Sequence, residues 1–151
     1  FIAQALMNQA VMLPFLRNPA SKQHHHAYPG GLLQHSIDVA YKFQQHHDLT
    51  KEERELIIIG GLFHDIGKVK TLTDNNQLTF LGSMIEHDAL TLEVCAQPLY
   101  ELEIHNPMYA GILRHCWTCA SPNARYGFKP QYRIATYIQE ADNVSARLSR
   151  F

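Results

Sequence analysis

Apolar residues recur along the chain at intervals of three and four, and strict alternation of apolar with polar residues is scarce, so the pattern predicts helices and few strands. The spacing predicts a helix from about Ile2 to Arg17, bent near Pro14, and then a loop rich in Pro and Gly as far as Gly31. A second helix is expected from Leu32 to about His47, with Leu32, Leu33, Ser36, Val39, Ala40 and Phe43 on one broad face. The third opens at Thr50 as N-cap, has the acidic first turn KEERE and carries LIIIGGLFHDI. It is expected to stop at Gly67, where a left-handed C-terminal residue costs least. The stretch KVKTLTDNNQLTFLG suits either a small hairpin near residues 69–81, turning at Asn75 and Asn76, or a plain loop. Ser83 is expected to cap a fourth helix to about Ala96, Pro107 to open a fifth to about Trp117, and Pro130 to open a sixth that runs to the end. The expected fold class is therefore all-α, a bundle of about six helices.

Composition narrows the class further. With 151 residues, 46% of them hydrophobic and 18% charged, the chain is the size of one globular domain with a real core, spanning residues 1–151. Both ends fall in apparently helical segments, at Phe1 and in SARLSRF, which is compatible with a domain cut from a longer protein. Thirteen basic against fourteen acidic side chains provide no global field for nucleic acid or anionic lipid, so any such contact must be local. No apolar run approaches the roughly 18 residues of a membrane span, and the opening segment lacks the basic leader of a secretory signal. Cys95, Cys116 and Cys119 form no disulfide framework, and CWTC lacks both a second ligand pair and a βαβ context. Plain reduced thiols in a soluble, cytoplasmic protein are the expectation.

The candidate chemistry lies in the histidines. HHHAYPGGLLQHS places four of them in residues 24–36, inside the chain and leading into apolar residues, unlike a terminal tag. His35, the pair His64 and Asp65, His87, His115 and Asp142 each fall on a different expected helix, at intervals of 23 to 29 residues. Antiparallel helices of this length return to the same layer at about that interval, so one ligand from each can converge in a bundle core. Asp142 lies beside the buried stripe of Ile138, Ala141 and Val144, where a carboxylate needs a partner. Taken singly, a histidine on a helix is more often exposed or hydrogen-bonded than a ligand, and His46, His47 and His105 are expected to face solvent. A second local feature, RYGFKPQYR, interleaves Arg125, Lys129 and Arg133 with Tyr126, Phe128 and Tyr132. This suits phosphate contacts beside stacking surfaces, or else a loop whose aromatics plug the end of the bundle.

The motifs LLQHS, FHDIGK and EADNVSA resemble the ordered His, His-Asp and Asp elements of the HD-domain metal-dependent phosphohydrolases, over about residues 24–145. The resemblance implies an all-α bundle in which His35, His64, Asp65 and Asp142 hold one divalent metal. It also implies that His87 and His115 serve a second ion, with Asp65 bridging. The segment NPASKQHHHAYPGGLLQHS followed by HDIGK is similar to MobH-type (TraI-like) conjugative relaxase domains, marked by a triple histidine and an HD motif, and to YhaM-like exoribonucleases. Both groups act on nucleic-acid phosphodiesters, so the expected activity is a metal-dependent phosphodiesterase or nuclease, relaxase-like by the triple histidine. Mixed imidazole and carboxylate ligands suit Mn, Fe, Co, Ni or Zn. Lys68 is placed to meet a phosphate, and His25 or His26 to supply a general acid or touch the phosphate. The competing classes are a nucleotide- or metal-binding regulatory module and a di-iron oxygenase on the same fold.

Overall fold

The computed structural model describes residues 1–148, so the expected end of the last helix at residues 149–151 lies outside the described residues. Among the described residues the chain is all-α, with helices α1 (Ile2–Ala5), α2 (Gln9–Arg17), α3 (Gly31–Tyr41), α4 (Lys51–Phe63), α5 (Lys68–Thr71), α6 (His87–Val94), α7 (Ala96–His105), α8 (Pro107–Thr118) and α9 (Arg133–Leu148). Helix α4 is central and packs against α3, α8 and α9. Its N-terminus is fixed by a capping box: Glu53 N–H donates to the Thr50 hydroxyl and Thr50 N–H to the Glu53 carboxylate. Its glycines admit the neighbours, because a Cβ on Gly61 would lie 2.8 Å from Ala40 Cα of α3 and one on Gly60 2.5 Å from Ile138 Cδ1 of α9. Between these helices the core is filled by Phe15, Leu32, Val39, Ile57, Phe63, Ile66, Leu113 and Ile138. No described helix is long and apolar enough to cross a membrane.

Several boundaries differ from the sequence expectation for local reasons. The first helix breaks at residues 6–8 rather than at Pro14, because the Asn8 side chain accepts from Ala10 N–H and restarts the chain as α2. Helix α3 ends at Tyr41, short of His47, and Arg54 of α4 donates to the carbonyls of Gln44 and His46 in the turns that follow. His46 is consequently half-buried, its ring 5.3 Å from that of Tyr137, whereas His47 and His105 are exposed as expected. The hairpin reduces to one antiparallel bridge, Leu72 to Leu78, closed through Asn76 at φ +61°. Ser83 does not cap a helix. It ends a short 3₁₀ turn, its hydroxyl donating back to Phe80 O, and α6 starts at His87. Helix α7 has no counterpart in the sequence reading; its Pro98 lies in the first turn, where proline removes no bond. The last helix opens at Arg133, not Pro130.

Candidate metal centre

His64 and Asp65 follow α4 directly, in a turn of three-residue bonds: Ile66 N–H donates to Phe63 O at 3.1 Å and Lys68 N–H to Asp65 O at 3.0 Å. The tighter turn lets adjacent side chains reach one point, with His64 Nε2 3.5 Å from Asp65 Oδ2. Gly67 is right-handed at φ −58°, contrary to the left-handed stop expected of it. Glycine is needed there for close approach instead, since a Cβ would lie 2.0 Å from His87 O and 2.6 Å from Thr91 N. The first turn of α6 therefore presses onto the His-Asp turn. Gly67 N–H donates to Thr91 Oγ1 at 3.0 Å, and His87 Nε2 comes within 2.9 Å of Asp65 Oδ1.

From α3, fully buried His35 places Nε2 3.2 Å from His64 Nε2, 2.9 Å from Asp142 Oδ1 and 3.6 Å from Asp65 Oδ2. Asp142, on α9, is also 3.5 Å from His64 Nε2. His35, His64 and Asp142 thus each offer a ligand atom within 4.8 Å of the others. Ligands at about 2.1 Å from a first-row ion stand about 3.0–3.4 Å apart, which is the spacing of these contacts. The outer hydrogen bonds agree. His64 Nδ1 lies 2.6 Å from Gly61 O, a pure acceptor, so Nδ1 carries a hydrogen and Nε2 faces the cluster, able to offer a lone pair once its own proton is expelled. His35 Nδ1 bonds Ser145 Oγ at 3.0 Å, leaving its Nε2 for the same point. Two imidazole lone pairs 3.2 Å apart repel unless a proton or cation lies between them. The residues present fit a divalent ion.

Electrostatics points the same way. Burial disfavours a charge on His64, yet Asp65 and then Asp142 outweigh it and push its pKa up to about 9. Burial likewise opposes ionisation of Asp65, but His64, Lys68 and His87 hold its carboxyl well below the usual carboxylate range. Hydrogen bonds from His35 and His64 overcome burial to do the same for Asp142. Two ionised carboxylates facing imidazoles make a cation-seeking site.

The other candidates separate. Lys68 Nζ is 2.6 Å from Asp65 Oδ2 and lines a cavity of about 250 Å³ with His25, His87, Thr71 and Glu86. His87 also lines a second cavity of about 240 Å³ with His64, Asp65, Asp88, Trp117 and Asp142. Of the triple histidine, His24 is exposed, His25 lines the first cavity with a buried Nδ1 that has no protein partner, and His26 is buried. His26 bonds Tyr28 Oη through Nδ1 at 2.7 Å and Ser145 Oγ through Nε2 at 3.1 Å. Burial, then Lys68 and His35, lower the His25 pKa; burial and then His35 lower that of His26. His115 does not join the cluster: its Nε2 accepts from Gln131 N–H at 2.9 Å. Beside His87 stands Asp88, whose Oδ1 is 3.1 Å from His87 Nε2. The cations of the basic loop have partners of their own. Arg133 is bound by Glu53 at 2.5–2.6 Å and by Asp48 O at 2.8 Å, and Lys129 Nζ donates to Pro122 O and Ala124 O. Arg125 lies over the Tyr126 ring, 5.3 Å from its centroid, and neither Tyr126 nor Phe128 plugs the bundle.

The sequence reading missed Ser145, Asp88 and Thr91. Ser145 stands three residues after Asp142, on the same face of α9, and Asp88 completes a second His-Asp dipeptide, so both carried a visible signal. The three cysteines are free thiols, and burial pushes Cys95 and Cys116 up to about 12.

A profile described as HD domain matches residues 32–147. The chain is similar to the 3'-5' exoribonuclease YhaM of Bacillus subtilis, at 26% identity over 140 residues, and to that of Oceanobacillus iheyensis, at 28% over 139 residues. Each match covers 89% of this chain and 44% of the relative, so the chain spans less than half the length of these curated relatives. No solved structure matches significantly.

Proposed function

Because the chain belongs to the HD-domain family, we propose that residues 1–151 act as one catalytic domain, a divalent-metal phosphodiesterase that hydrolyses single-stranded nucleic acid. The observation that carries this reading is the approach of the Asp65 and Asp142 carboxylate oxygens to the His35 and His64 Nε2 atoms at 2.9–3.6 Å, with both Nδ1 atoms engaged elsewhere. In this reading these four residues hold one ion of the Mn, Fe, Co, Ni or Zn class. When bound, it supplies Lewis acidity toward a phosphoryl oxygen and a water nucleophile at neutral pH.

The chain's own groups do the rest. Asp65 points Oδ2 at the imidazoles and Oδ1 at His87, so it joins the main cluster to a flanking position that His87 and Asp88 complete. That position is the candidate for a second ion, without His115. Lys68 holds positive charge at the cavity, where it meets a phosphate oxygen. His25, the member of the triplet that lines the cavity, donates a hydrogen bond to the phosphate or the leaving oxygen, while His26 positions His35 through Ser145.

RNA is the favoured substrate. The relatives are named exoribonucleases, and no tyrosine lines either cavity among the described residues. Tyr28, the tyrosine nearest in sequence to the triplet, has its hydroxyl on His26. Water therefore fits as nucleophile better than a relaxase tyrosine. A relaxase-like DNA nuclease of conjugative transfer is the finer alternative. The test combines elemental analysis with Mn-dependent cleavage of 3'- and 5'-labelled single-stranded RNA and DNA, for wild type, His64→Ala and Asp65→Ala. Stoichiometric metal and RNA cleavage, both lost in the variants, are expected. Preference for DNA with a covalent protein adduct would move the reading to the relaxase. Metal without turnover would move it to a binding module, and iron-dependent oxygen consumption to an oxygenase.

A further inference from the structure

The segment from Ala120 to Tyr132 is rooted in the wall of the candidate site. Cys119 and Gln139 line the same cavity as His64 and Asp142. Gln139 Nε2 donates to Ala120 O at 3.1 Å and Cys119 O at 3.5 Å, and Ala120 N–H donates to Phe128 O at 2.7 Å. Further bonds organise the loop. Ala124 N–H donates to Ser121 O at 3.0 Å, Lys129 Nζ donates to Ala124 O at 2.7 Å, and Gly127 turns the chain at φ +93°.

This order does not bury the aromatics it carries. Tyr126 is 76% exposed and Phe128 82%, whereas Trp117 of the cavity wall is 4% exposed. Ordering a loop costs conformational entropy, and two rings left in water return nothing to the fold. Of the loop's cations, Arg133 is paired with Glu53, Lys129 donates to the loop's own carbonyls and Arg125 lies over one face of the Tyr126 ring. Beside these cations the loop presents exposed π surface, which matches the planar face of a base.

We propose that Tyr126 and Phe128 form a stacking platform for an unpaired nucleobase of a strand whose phosphodiester lies in the adjacent cavity. The proposal rests on the phosphodiesterase reading and adds how the strand is held. It requires a single strand, because a paired base has no free face to offer. It also requires tolerance of base identity, because every base has a π face.

The test is fluorescence anisotropy with a fluorescein-labelled RNA ten-mer in excess chelator, so that binding is read without turnover. Cleavage of the same oligonucleotide is measured separately with Mn. Tyr126→Ala and Phe128→Ala are each expected to weaken binding about 5- to 100-fold, with Tyr126→Phe staying within twofold and an abasic ten-mer binding wild type as weakly as the alanine variants bind RNA. Wild-type affinity in both alanine variants, together with cleavage by wild type, would overturn the platform and leave the phosphodiesterase standing. Equal affinity of wild type for abasic and ordinary RNA would do the same, and would turn attention to a protein partner for the exposed rings. Neither binding nor cleavage of any oligonucleotide by wild type would overturn both readings.

Discussion

Ser145→Ala removes one oxygen that three side chains share. Ser145 Oγ lies 3.0 Å from His35 Nδ1, 3.1 Å from His26 Nε2 and 3.4 Å from Asp38 Oδ2, in a residue only 5% exposed. For His35 to turn a lone pair from Nε2 toward His64 and Asp142, its Nδ1 must carry the hydrogen, and Ser145 is the acceptor that holds it there. Alanine leaves that N–H in a dry site, which costs about 1–3 kcal/mol of stability, and it frees the ring to tilt or change tautomer. Loss of such an outer partner lowers metal affinity about 10- to 100-fold. Competition against a chromogenic chelator gives the affinity, and urea denaturation gives the stability. Ser145→Thr restores the hydroxyl and should recover most of the affinity. If Ser145→Ala lowers the urea midpoint while binding the ion as wild type does, the serine merely supports the fold and the orientation argument fails.

Four further outcomes follow from the geometry. Gly67→Ala should cost about 1–3 kcal/mol in denaturant titrations and uncouple His87 from Asp65, because its Cβ would meet His87 O at 2.0 Å; an unchanged midpoint would mean that the contact between α6 and the His-Asp turn is not tight. Without metal, His64 holds a proton up to about pH 9, and ligation must expel it, so calorimetry at pH 7.5 in buffers of different ionisation enthalpy should report close to one proton released per ion, falling toward none above pH 9. Hydrogen bonds from Arg133 and Thr50 lower the Glu53 carboxyl to about 2 from 4.5, so the stability it adds is present above pH 4.5 and lost as pH falls toward 2; urea midpoints of Glu53→Gln should vary less with pH across that window than those of wild type. The buried Cys95 and Cys116 thiols, pushed up to about 12, should react with a thiol reagent at pH 8 only after unfolding, and fast labelling of either in the native protein would contradict their burial.

The residues proposed as ligands stand out because each is placed by two constraints that a sequence displays. His35 and Asp142 lie on long helices whose apolar stripes give their direction, and His64 and Asp65 sit where α4 runs out. His115 satisfied the same spacing and still points elsewhere, because spacing fixes the layer a residue reaches and not the side of the helix it occupies. The start of α6 was misread for a related reason. Ser83 has the chemistry of an N-cap, but its hydroxyl is used by Phe80 O, and the contact that sets the helix is Gly67 against His87 and Thr91, more than 15 residues away in sequence. Long-range packing of that kind leaves no local signature. Of the Arg125, Lys129 and Arg133 pattern, Arg133 is paired with Glu53 and Lys129 bonds its own loop's carbonyls, partners that composition does not display.

The triple histidine shows how far identical residues can diverge. His24, His25 and His26 differ in nothing but position, yet one is in solvent, one lines the cavity and one is buried behind His35. The division comes from one backbone choice. His26 adopts φ +51°, uncommon for a side chain larger than glycine, and is held in it by Tyr28, by Ser145 and by Ala20 N–H donating to His26 O at 2.9 Å. The reversal puts His26 against α9 and leaves His25 facing Lys68 across the cavity. A conformation that must be held by three separate partners serves a purpose that a free loop would not. In the proposed reading it gives one histidine of the run to the orientation of His35 and its neighbour to the cavity, so the two should not substitute for one another.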